Sequence, residues 1–254
     1  MLRVRVIPCL LLRDGGLVKT VRYRRPAYVG DPINTVRIFN ELEVDELAFL
    51  DITASIERRD PDLSVLQEIA DECFMPLAYG GGIREVSMAE RILQIGFEKV
   101  IINSASFDNP QLITELARRF GSQAVIVAID VTRGLLGSYQ VVSHSASRNQ
   151  APNPVQWARE VENLGAGEVL LTSVEREGSW RGFDLALTKR VSEAVGIPVI
   201  AHGGAGSVQH IREAVQAGAS AVALGSMVVY QRKGMGVLVN FPDRTALSHA
   251  LAAP

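Results

Sequence analysis

Two aspartates stand at the ends of apolar, strand-like runs in this sequence. Asp130 closes the run 124–130, and Asp51 closes the run 47–51. A carboxyl group in partly apolar surroundings holds its proton more tightly than one in water, which suits general acid/base catalysis. Aspartate is also common where a loop or helix begins, and this structural alternative is stronger for Asp51 than for Asp130. We predict that both aspartates are catalytic.

Lys19 and His202 are the next candidates. Lys19 lies in a predicted loop, residues 13–19, from which its ammonium group could reach a phosphate or carbonyl oxygen. The alternative for this residue is a solvated surface lysine. His202 ends another apolar run and is the histidine that we predict to line the site, while Thr172 and Ser173 end a further run and supply polar contacts to a substrate.

Small residues follow four of the apolar runs and predict two anion sites. The glycine runs 80–82 and 203–206 follow two of them, and the pairs 103–104 and 225–226 end in serine. Glycine lets a ligand approach the backbone closely, and N–H groups exposed at a following helix start bind anions. The alternative is that these glycines only form tight turns. The predicted phosphate-binding residues are Gly81, Gly82, Asn103, Ser104, Gly178, Gly203, Gly204, Gly225 and Ser226.

Charged residues precede or open several runs at their other end. They are Arg5, Glu46, Lys99 and Glu168. Ordinary solvated strand ends would explain them, but their signs allow pairing across a ring. A charged plug at one end of a barrel is therefore a second hypothesis for these four residues.

Eight short apolar runs alternate with amphipathic segments, and this order predicts a parallel sheet with helices between its strands. The predicted strands are 4–12, 47–52, 76–79, 100–103, 124–130, 169–172, 198–202 and 221–224. The predicted helices are 33–42, 63–73, 87–95, 110–120, 154–164, 184–194 and 208–217. Such a sheet is either closed into a barrel or open and doubly wound.

An internal repeat favours the closed barrel. Residues 76–104 align without a gap with residues 198–226, an offset of 122. Two copies of a four-strand block predict one α/β domain over residues 1–254, a (β/α)₈ TIM barrel with half-barrels of about 1–122 and 123–254. A second offset, 119, aligns the first and fifth strands and places Leu11 opposite Asp130. We expect the active site at the C-terminal ends of the strands, where Leu11 would line it.

The composition excludes several classes of function. The chain has 254 residues, is 47% hydrophobic and carries a net charge of −2. The sequence has no basic run, so we predict a small substrate and neither a nucleic-acid nor a membrane partner. The two cysteines lack the spacing of a zinc site, and we predict no metal and no cofactor. No targeting signal or membrane span is recognised, so we expect a cytoplasmic protein.

Several motifs resemble the cyclase subunit of imidazole glycerol phosphate synthase. They are the segments 5–10, 30–32, 45–55, 80–84, 102–105, 120–123, 162–168 and 203–206. The resemblance implies a class I glutaminase that docks at the N-terminal face of the barrel and supplies ammonia to a phosphorylated substrate at the other face. It also implies that Lys19 and Asp130 match active-site positions. The residues matching an ammonia gate are Arg5, Glu46, Lys99 and Glu168.

The sequence departs from this family at the second catalytic aspartate, which falls at Leu11. An isobutyl group neither donates nor accepts a proton. Segments 10–20 and 236–243 instead resemble the WbuZ-type branch, which implies delivery of ammonia to a phosphorylated or nucleotide sugar in surface-polysaccharide (acetamidino sugar) biosynthesis. We favour this branch. The alternatives are a histidine-pathway cyclase that uses Asp130 alone, and a non-catalytic ammonia conduit or glutaminase-activating scaffold.

Overall fold

The computed structural model describes residues 4–134, 137–144, 146–150 and 153–252. The prediction that no targeting signal is present concerns residues 1–3, and the predicted domain extends to residue 254, so both reach outside the described residues. The strands are β1 (Arg5–Arg13), β2 (Gly16–Val21), β3 (Arg24–Gly30), β4 (Leu47–Asp51), β5 (Leu77–Gly80), β6 (Lys99–Ile102), β7 (Val125–Arg133), β8 (Tyr139–Ser143), β9 (Arg148–Asn149), β10 (Glu168–Ser173), β11 (Val199–His202) and β12 (Ala221–Leu224).

Eight of these strands form a closed parallel barrel. Their order around the ring is β1, β4, β5, β6, β7, β10, β11 and β12. The ring closes because β12 pairs in parallel with β1, with Ala221 opposite Arg5. The predicted (β/α)₈ barrel is therefore confirmed, and the open doubly wound sheet is excluded.

Helices connect successive barrel strands. They are α1 (Pro32–Glu41), α2 (Ala54–Glu57), α3 (Leu63–Glu72), α4 (Val86–Ile95), α5 (Ser104–Asp108), α6 (Gln111–Phe120), α7 (Pro154–Asn163), α8 (Leu185–Ser192), α9 (Val208–Gln216), α10 (Ser226–Val229) and α11 (Arg244–Ala252). The seven predicted helices are present, with ends displaced by at most two residues. The short helices α2, α5 and α10 and the terminal helix α11 were not predicted.

The internal repeat is visible in the order of elements. The order from β1 to α6 recurs from β7 to α11, apart from α2, which has no counterpart among the described residues. Equivalent helices also begin alike: the Asp31 side chain accepts from the Asn34 N–H before α1, and Asn153 accepts from the Gln156 N–H before α7. The predicted boundary between half-barrels falls in a 3₁₀ turn, Ser122–Ala124, just before β7.

Each half carries an antiparallel extension that the sequence analysis did not predict. Strands β2 and β3 extend β1, and β8 and β9 extend β7. The predicted loop over residues 13–19 is therefore wrong. Arg13 pairs with Gly16 across a two-residue turn in which Asp14 and Gly15 have φ of 51° and 74°. Asp-Gly with two positive φ angles is a strong hairpin signal, because that turn matches the twist of the strands.

Alternation along the barrel strands separates two sets of side chains. Outward-facing residues form the large core against the helices. The inward-facing apolar cluster is Ile7, Cys9, Ala48, Ala78, Ile101, Ile126, Ala128, Leu170, Ile200, Ala221 and Ala223. The same alternation places Arg5, Lys99 and Glu168 inward at the N-terminal end, with Glu46 one position before β4. It places Leu11, Asp130, Thr172 and His202 inward at the C-terminal end.

Gly82 and Gly15 offer a matched test of the tight turn after β5. Their φ angles are 71° and 74°, so alanine is strained at both. A Cβ at Gly82 would lie 2.8 Å from the Arg59 main-chain oxygen, whereas a Cβ at Gly15 meets nothing within 4 Å. Gly15→Ala should cost about 1 kcal/mol of unfolding free energy, and Gly82→Ala about 2–4 kcal/mol, because the clash adds to the strain. Equal losses in urea unfolding would contradict this packing.

Candidate active site at the C-terminal ends of the strands

A cavity of about 290 Å³ lies at the C-terminal ends of the barrel strands. The turn between β2 and β3 contributes Tyr23 to its lining. The polar side chains that line it include Tyr23, Asp51, Asn103, Asp130, Thr172, Glu177 and His202. Leu11 lines the same cavity, as predicted, and contributes an aliphatic wall. This is the position that parallel barrels give to their active sites.

Asp130 is the central carboxylate of the cavity and is only 7% exposed. Its Oδ1 accepts a hydrogen bond from the Tyr23 hydroxyl at 2.8 Å, and its Oδ2 accepts one from the Asn103 amide at 2.9 Å. Burial raises the pKa of Asp130 to about 6, although hydrogen bonds from Tyr23, Thr172 and Asn103 act to lower it. A carboxyl group with a pKa near neutrality can both take and return a proton.

Asn103 holds Asp130 with its amide nitrogen and leaves its own oxygen available. The Asn103 side-chain oxygen is buried and has no hydrogen-bond partner within the described part of the chain. A buried acceptor of this kind is costly unless a donor reaches it. Because Asn103 lines the cavity, a ligand N–H or O–H is the partner that this oxygen suits.

Tyr23 is a site residue that the sequence analysis missed. It occupies a two-residue turn, since Val21 pairs with Arg24, and both Arg22 and Tyr23 have positive φ, 53° and 59°. Neither residue is a glycine or asparagine, so nothing local in the sequence marks this turn. Once the Asp14-Gly15 turn is recognised as a hairpin, however, β2 and the position of Tyr23 at its end follow.

Lys19 is buried on β2, so the predicted loop placement and the solvated alternative are both wrong. Its ammonium group donates to the Glu177 carboxylate and to the Thr20 main-chain oxygen, the latter at 2.9 Å. Burial lowers the pKa of Lys19 to about 8. A Cβ added at Gly225 would lie 2.9 Å from Lys19 Cε, so this cation lies beside the second glycine cluster.

Thr172 and His202 line the site as predicted, whereas Ser173 does not. The Thr172 hydroxyl and His202 Nδ1 are 3.1 Å apart, and burial lowers the pKa of His202 to about 3, so the ring is neutral at pH 7. Ser173 follows the inward-facing Thr172, and alternation therefore turns its side chain to the opposite face of β10. Contact of Ser173 with a substrate therefore stays a prediction that its placement does not support.

Asp51 also lies on the outward pleat, because the preceding Leu50 faces the barrel interior. Arg59 Nη2 donates to both Asp51 oxygens at 2.8 and 2.7 Å. The main-chain N–H groups of Thr53 and Ala54 donate to Asp51 Oδ1 at 3.1 and 3.0 Å. The carboxylate thus organises the loop after β4, as the capping alternative expects. Asp51 also lines the cavity, and its catalytic role stays a prediction.

The two predicted phosphate half-sites differ in their access to the cavity. Gly81, Gly82, Asn103 and Ser104 line it, at the first half-site. The second half-site lies under the β2–β3 hairpin, where Lys19 approaches Gly225 and a Cβ on Gly178 would lie 2.7 Å from the Thr20 main-chain oxygen. Its other predicted members are Gly203, Gly204 and Ser226. Gly178 therefore packs closely against the hairpin, and phosphate binding remains a prediction for all of these residues.

The four charged residues at the N-terminal end form a closed ring. Arg5 donates to Glu46 at 2.6 Å and to Glu168 at 2.7 Å, and Lys99 donates to the same two carboxylates at 3.1 and 3.0 Å. Both carboxylates are buried. The predicted pairing across the barrel is confirmed, and ordinary solvated strand ends are excluded. Each of the two carboxylates is therefore paired with both cations.

The closed barrel, the buried carboxylate at one end and the ion-pair ring at the other define a (β/α)₈-barrel protein with a candidate acid/base site. The model of the family "Histidine biosynthesis protein" matches residues 5–234. The chain belongs to this family, which includes the imidazole glycerol phosphate synthase subunit HisF, and the family resemblance is thereby confirmed.

Individual relatives cover nearly the whole chain. A putative imidazole glycerol phosphate synthase subunit hisF2 from Pseudomonas aeruginosa is 48% identical over 244 residues, covering 96% of this chain and 97% of that protein. The imidazole glycerol phosphate synthase subunit HisF from Alkaliphilus metalliredigens is 46% identical over 230 residues, 91% of each chain. A putative subunit HisF from Leptospira borgpetersenii is 43% identical over 247 residues, covering 96% and 97%.

Two features are absent from the part of the chain that the structure describes. No helix among them combines the length and apolar character that crossing a membrane requires. Within the same residues, no cluster of three or more histidine, cysteine, aspartate or glutamate side chains has a geometry suited to a metal ion.

Proposed function

We propose that this chain is the synthase subunit of a glutamine amidotransferase of the imidazole glycerol phosphate synthase type, acting in histidine biosynthesis. It takes ammonia from a glutaminase partner at the N-terminal face and uses it on a small phosphorylated substrate at the C-terminal face. One observation carries the proposal: the charge ring and the Asp130 cavity lie at opposite ends of one barrel interior. The relatives' names, which specify subunits of this synthase, support it.

The interior between the two ends suits ammonia in its neutral form. It is lined by an apolar cluster that includes the small residues Ala48, Ala78, Ala128, Ala221 and Ala223. An ammonium ion loses its hydration there without compensation, whereas uncharged ammonia pays a far smaller desolvation cost. In this proposal, the charge ring and the apolar interior lie between the glutaminase, which releases ammonia, and the Asp130 cavity, which uses it.

The cavity suits the reaction of ammonia with a phosphorylated substrate. Asp130, with its pKa raised to about 6, can take a proton from the attacking nitrogen. The first glycine half-site and Lys19 offer N–H groups and a positive charge that favour phosphate. Asn103 adds a free acceptor for a substrate donor.

The proposal is tested with the purified chain, ammonium chloride and the bisphosphorylated histidine-pathway intermediate. We expect imidazole glycerol phosphate to form at about 1 s⁻¹ or faster, the range typical of an enzyme. A glutaminase from the same organism should support the same reaction from glutamine and co-elute with the chain in gel filtration. Absence of turnover with either nitrogen source would exclude this function.

A second candidate function is favoured by Leu11, which is 8% exposed and lines the cavity without a proton to exchange. In this alternative, of the WbuZ type, the ammonia is delivered to an activated sugar for amidation. The β2–β3 hairpin covers the second half-site and leaves the first one open to the cavity. This arrangement also suits a ligand that places a single anionic group in the first half-site. Leu11→Asp discriminates: the substitution should leave an efficient cyclase unchanged, and should increase ring closure in a protein that has lost it.

A further inference from the structure

Proton transfer at two substrate atoms needs a second exchangeable proton near Asp130. Among the side chains that line the cavity, Leu11 has none and Asn103 is occupied in holding Asp130. The Thr172 hydroxyl also approaches Asp130, but it lies 3.1 Å from His202 Nδ1 as well and is shared with that ring. Tyr23 donates its hydroxyl proton to Asp130 at 2.8 Å and lines the same cavity. We propose that Tyr23 is the second member of the acid/base pair, relaying a proton between Asp130 and an oxygen of the substrate. This inference rests on the proposed use of ammonia.

The backbone around Tyr23 is strained to bring it to the cavity. Each non-glycine residue in the left-handed region costs about 1–2 kcal/mol, and Arg22 and Tyr23 are both in it. Glu177 holds this turn: its main-chain oxygen accepts from the Arg22 N–H at 3.1 Å, and its carboxylate accepts from the Tyr23 N–H at 3.2 Å. Asn-Gly would form the same turn without strain. An Asn-Gly turn would lack the phenol of Tyr23, so the strained turn supplies this side chain to the site.

The relay balances for addition of ammonia to a carbonyl carbon. The nitrogen forms a bond to that carbon, and the π electrons of the carbonyl move to its oxygen. Asp130 takes one proton from the nitrogen, Tyr23 gives its hydroxyl proton to the new alkoxide, and Tyr23 regains a proton from Asp130. The result is an amino alcohol, with Asp130 again ionised and Tyr23 again neutral.

Three other titratable groups face the pair from neighbouring strands, namely Cys9, Lys19 and His202. Burial raises the pKa of Cys9 on β1 to about 12, so its thiol stays neutral. Burial lowers the pKa of His202 on β11 to about 3, so its ring also stays neutral. Lys19 on β2, whose pKa is about 8, stays cationic and faces Glu177, which follows β10.

The first test measures Asp130 directly and needs no substrate. Carbon-13 labelling of aspartate carboxyl groups gives the Asp130 titration by NMR, assigned with Asp130→Asn. In Tyr23→Phe, the pKa of Asp130 should rise by about 1 unit, because a hydrogen bond to the ionised form is lost. Tyr28→Phe is the matched control, since Tyr28 lies on β3 of the same hairpin and is 68% exposed. An unchanged Asp130 pKa in Tyr23→Phe overturns the inference.

The second test uses the ammonium-dependent reaction of the proposed function. Tyr23→Phe should lower kcat about 100-fold and move the acid limb of the pH profile upward, while Tyr28→Phe stays within about twofold of the parent. An Asp130 pKa that shifts while the rate is unchanged would overturn the relay. Absence of turnover in the parent chain would instead overturn the proposed function. The Asp130 titration in Tyr23→Phe would then be the remaining test of the coupling between Tyr23 and Asp130.

Discussion

Asp130→Asn should lower the ammonium-dependent rate by about 10²- to 10⁴-fold, the contribution typical of a positioned general acid or base. Asparagine keeps the shape of the side chain but cannot take a proton at neutral pH. In the parent protein, the rate should rise as pH increases through about 6, where Asp130 becomes ionised. The measurement is kcat/KM against pH for both proteins, together with co-elution of each with the glutaminase.

The same substitution should stabilise the protein at neutral pH. The pKa of Asp130 is about 6 in the folded chain and about 4 in an unfolded one, so between these values the folded state binds more protons. The stability contributed by protonated Asp130 is full below about pH 4 and is lost as pH rises through about 6. Asp130→Asn therefore gains about 1–3 kcal/mol of unfolding free energy at pH 7 relative to the parent.

Asp51→Asn is the matched control for Asp130, because both residues end barrel strands. It weakens the contact with Arg59 Nη2 and the cap after β4, so it should cost about 1–2 kcal/mol of stability. Because Asp51 also lines the cavity, kcat should fall as well, but far less than in Asp130→Asn. An Asp130→Asn protein that keeps the parent's ammonium-dependent rate would show instead that Asp130 is not the acid/base group.

The barrel and its repeat were predictable because hydrophobic periodicity and the 122-residue offset are long-range signals summed over many residues. The charge ring and Asp130 were predictable for a related reason, since strand ends fix where such residues must lie. Asp51 and Ser173 were assigned to the site because each ends a strand. Alternation from Thr172 turns the Ser173 side chain to the opposite face of β10, a placement that the strand period, applied residue by residue, predicts. Asp51 lines the cavity although the preceding Leu50 faces the barrel interior.

Tyr23 and the burial of Lys19 were harder to predict. Both depend on the hairpin β2–β3, whose first turn has a local signal in Asp14-Gly15 but whose second turn, Arg22-Tyr23, has none. That second turn is held by Glu177, which lies more than 150 residues away along the chain, in hydrogen bonds to main-chain N–H groups. A contact between residues so far apart along the chain does not affect the turn propensity of the residues at either end, so it cannot be predicted from them.

Lys99→Met should destabilise the chain by about 2–3 kcal/mol. It leaves Glu46 and Glu168, both buried, to share the single cation of Arg5, and removal of one partner from a buried pair costs about 3–5 kcal/mol when nothing compensates. Lys189→Met is the control, because Lys189 and Glu193 are both 65% exposed and 3.8 Å apart, and it should change stability by less than about 0.5 kcal/mol.

The double variant Lys99→Met/Glu46→Gln separates charge balance from packing. It leaves Arg5 paired with Glu168 at 2.7 Å and no unpaired charge, so it should recover about half or more of the stability lost in Lys99→Met. Replacing buried ion pairs by apolar residues of similar volume is often neutral or stabilising in proteins. Stability alone therefore does not explain why the barrel carries this ring. If the ring regulates entry of ammonia, the double variant should regain stability while its glutamine-dependent rate, relative to its ammonium-dependent rate, stays altered. Recovery of both together would mean that the ring acts only through stability.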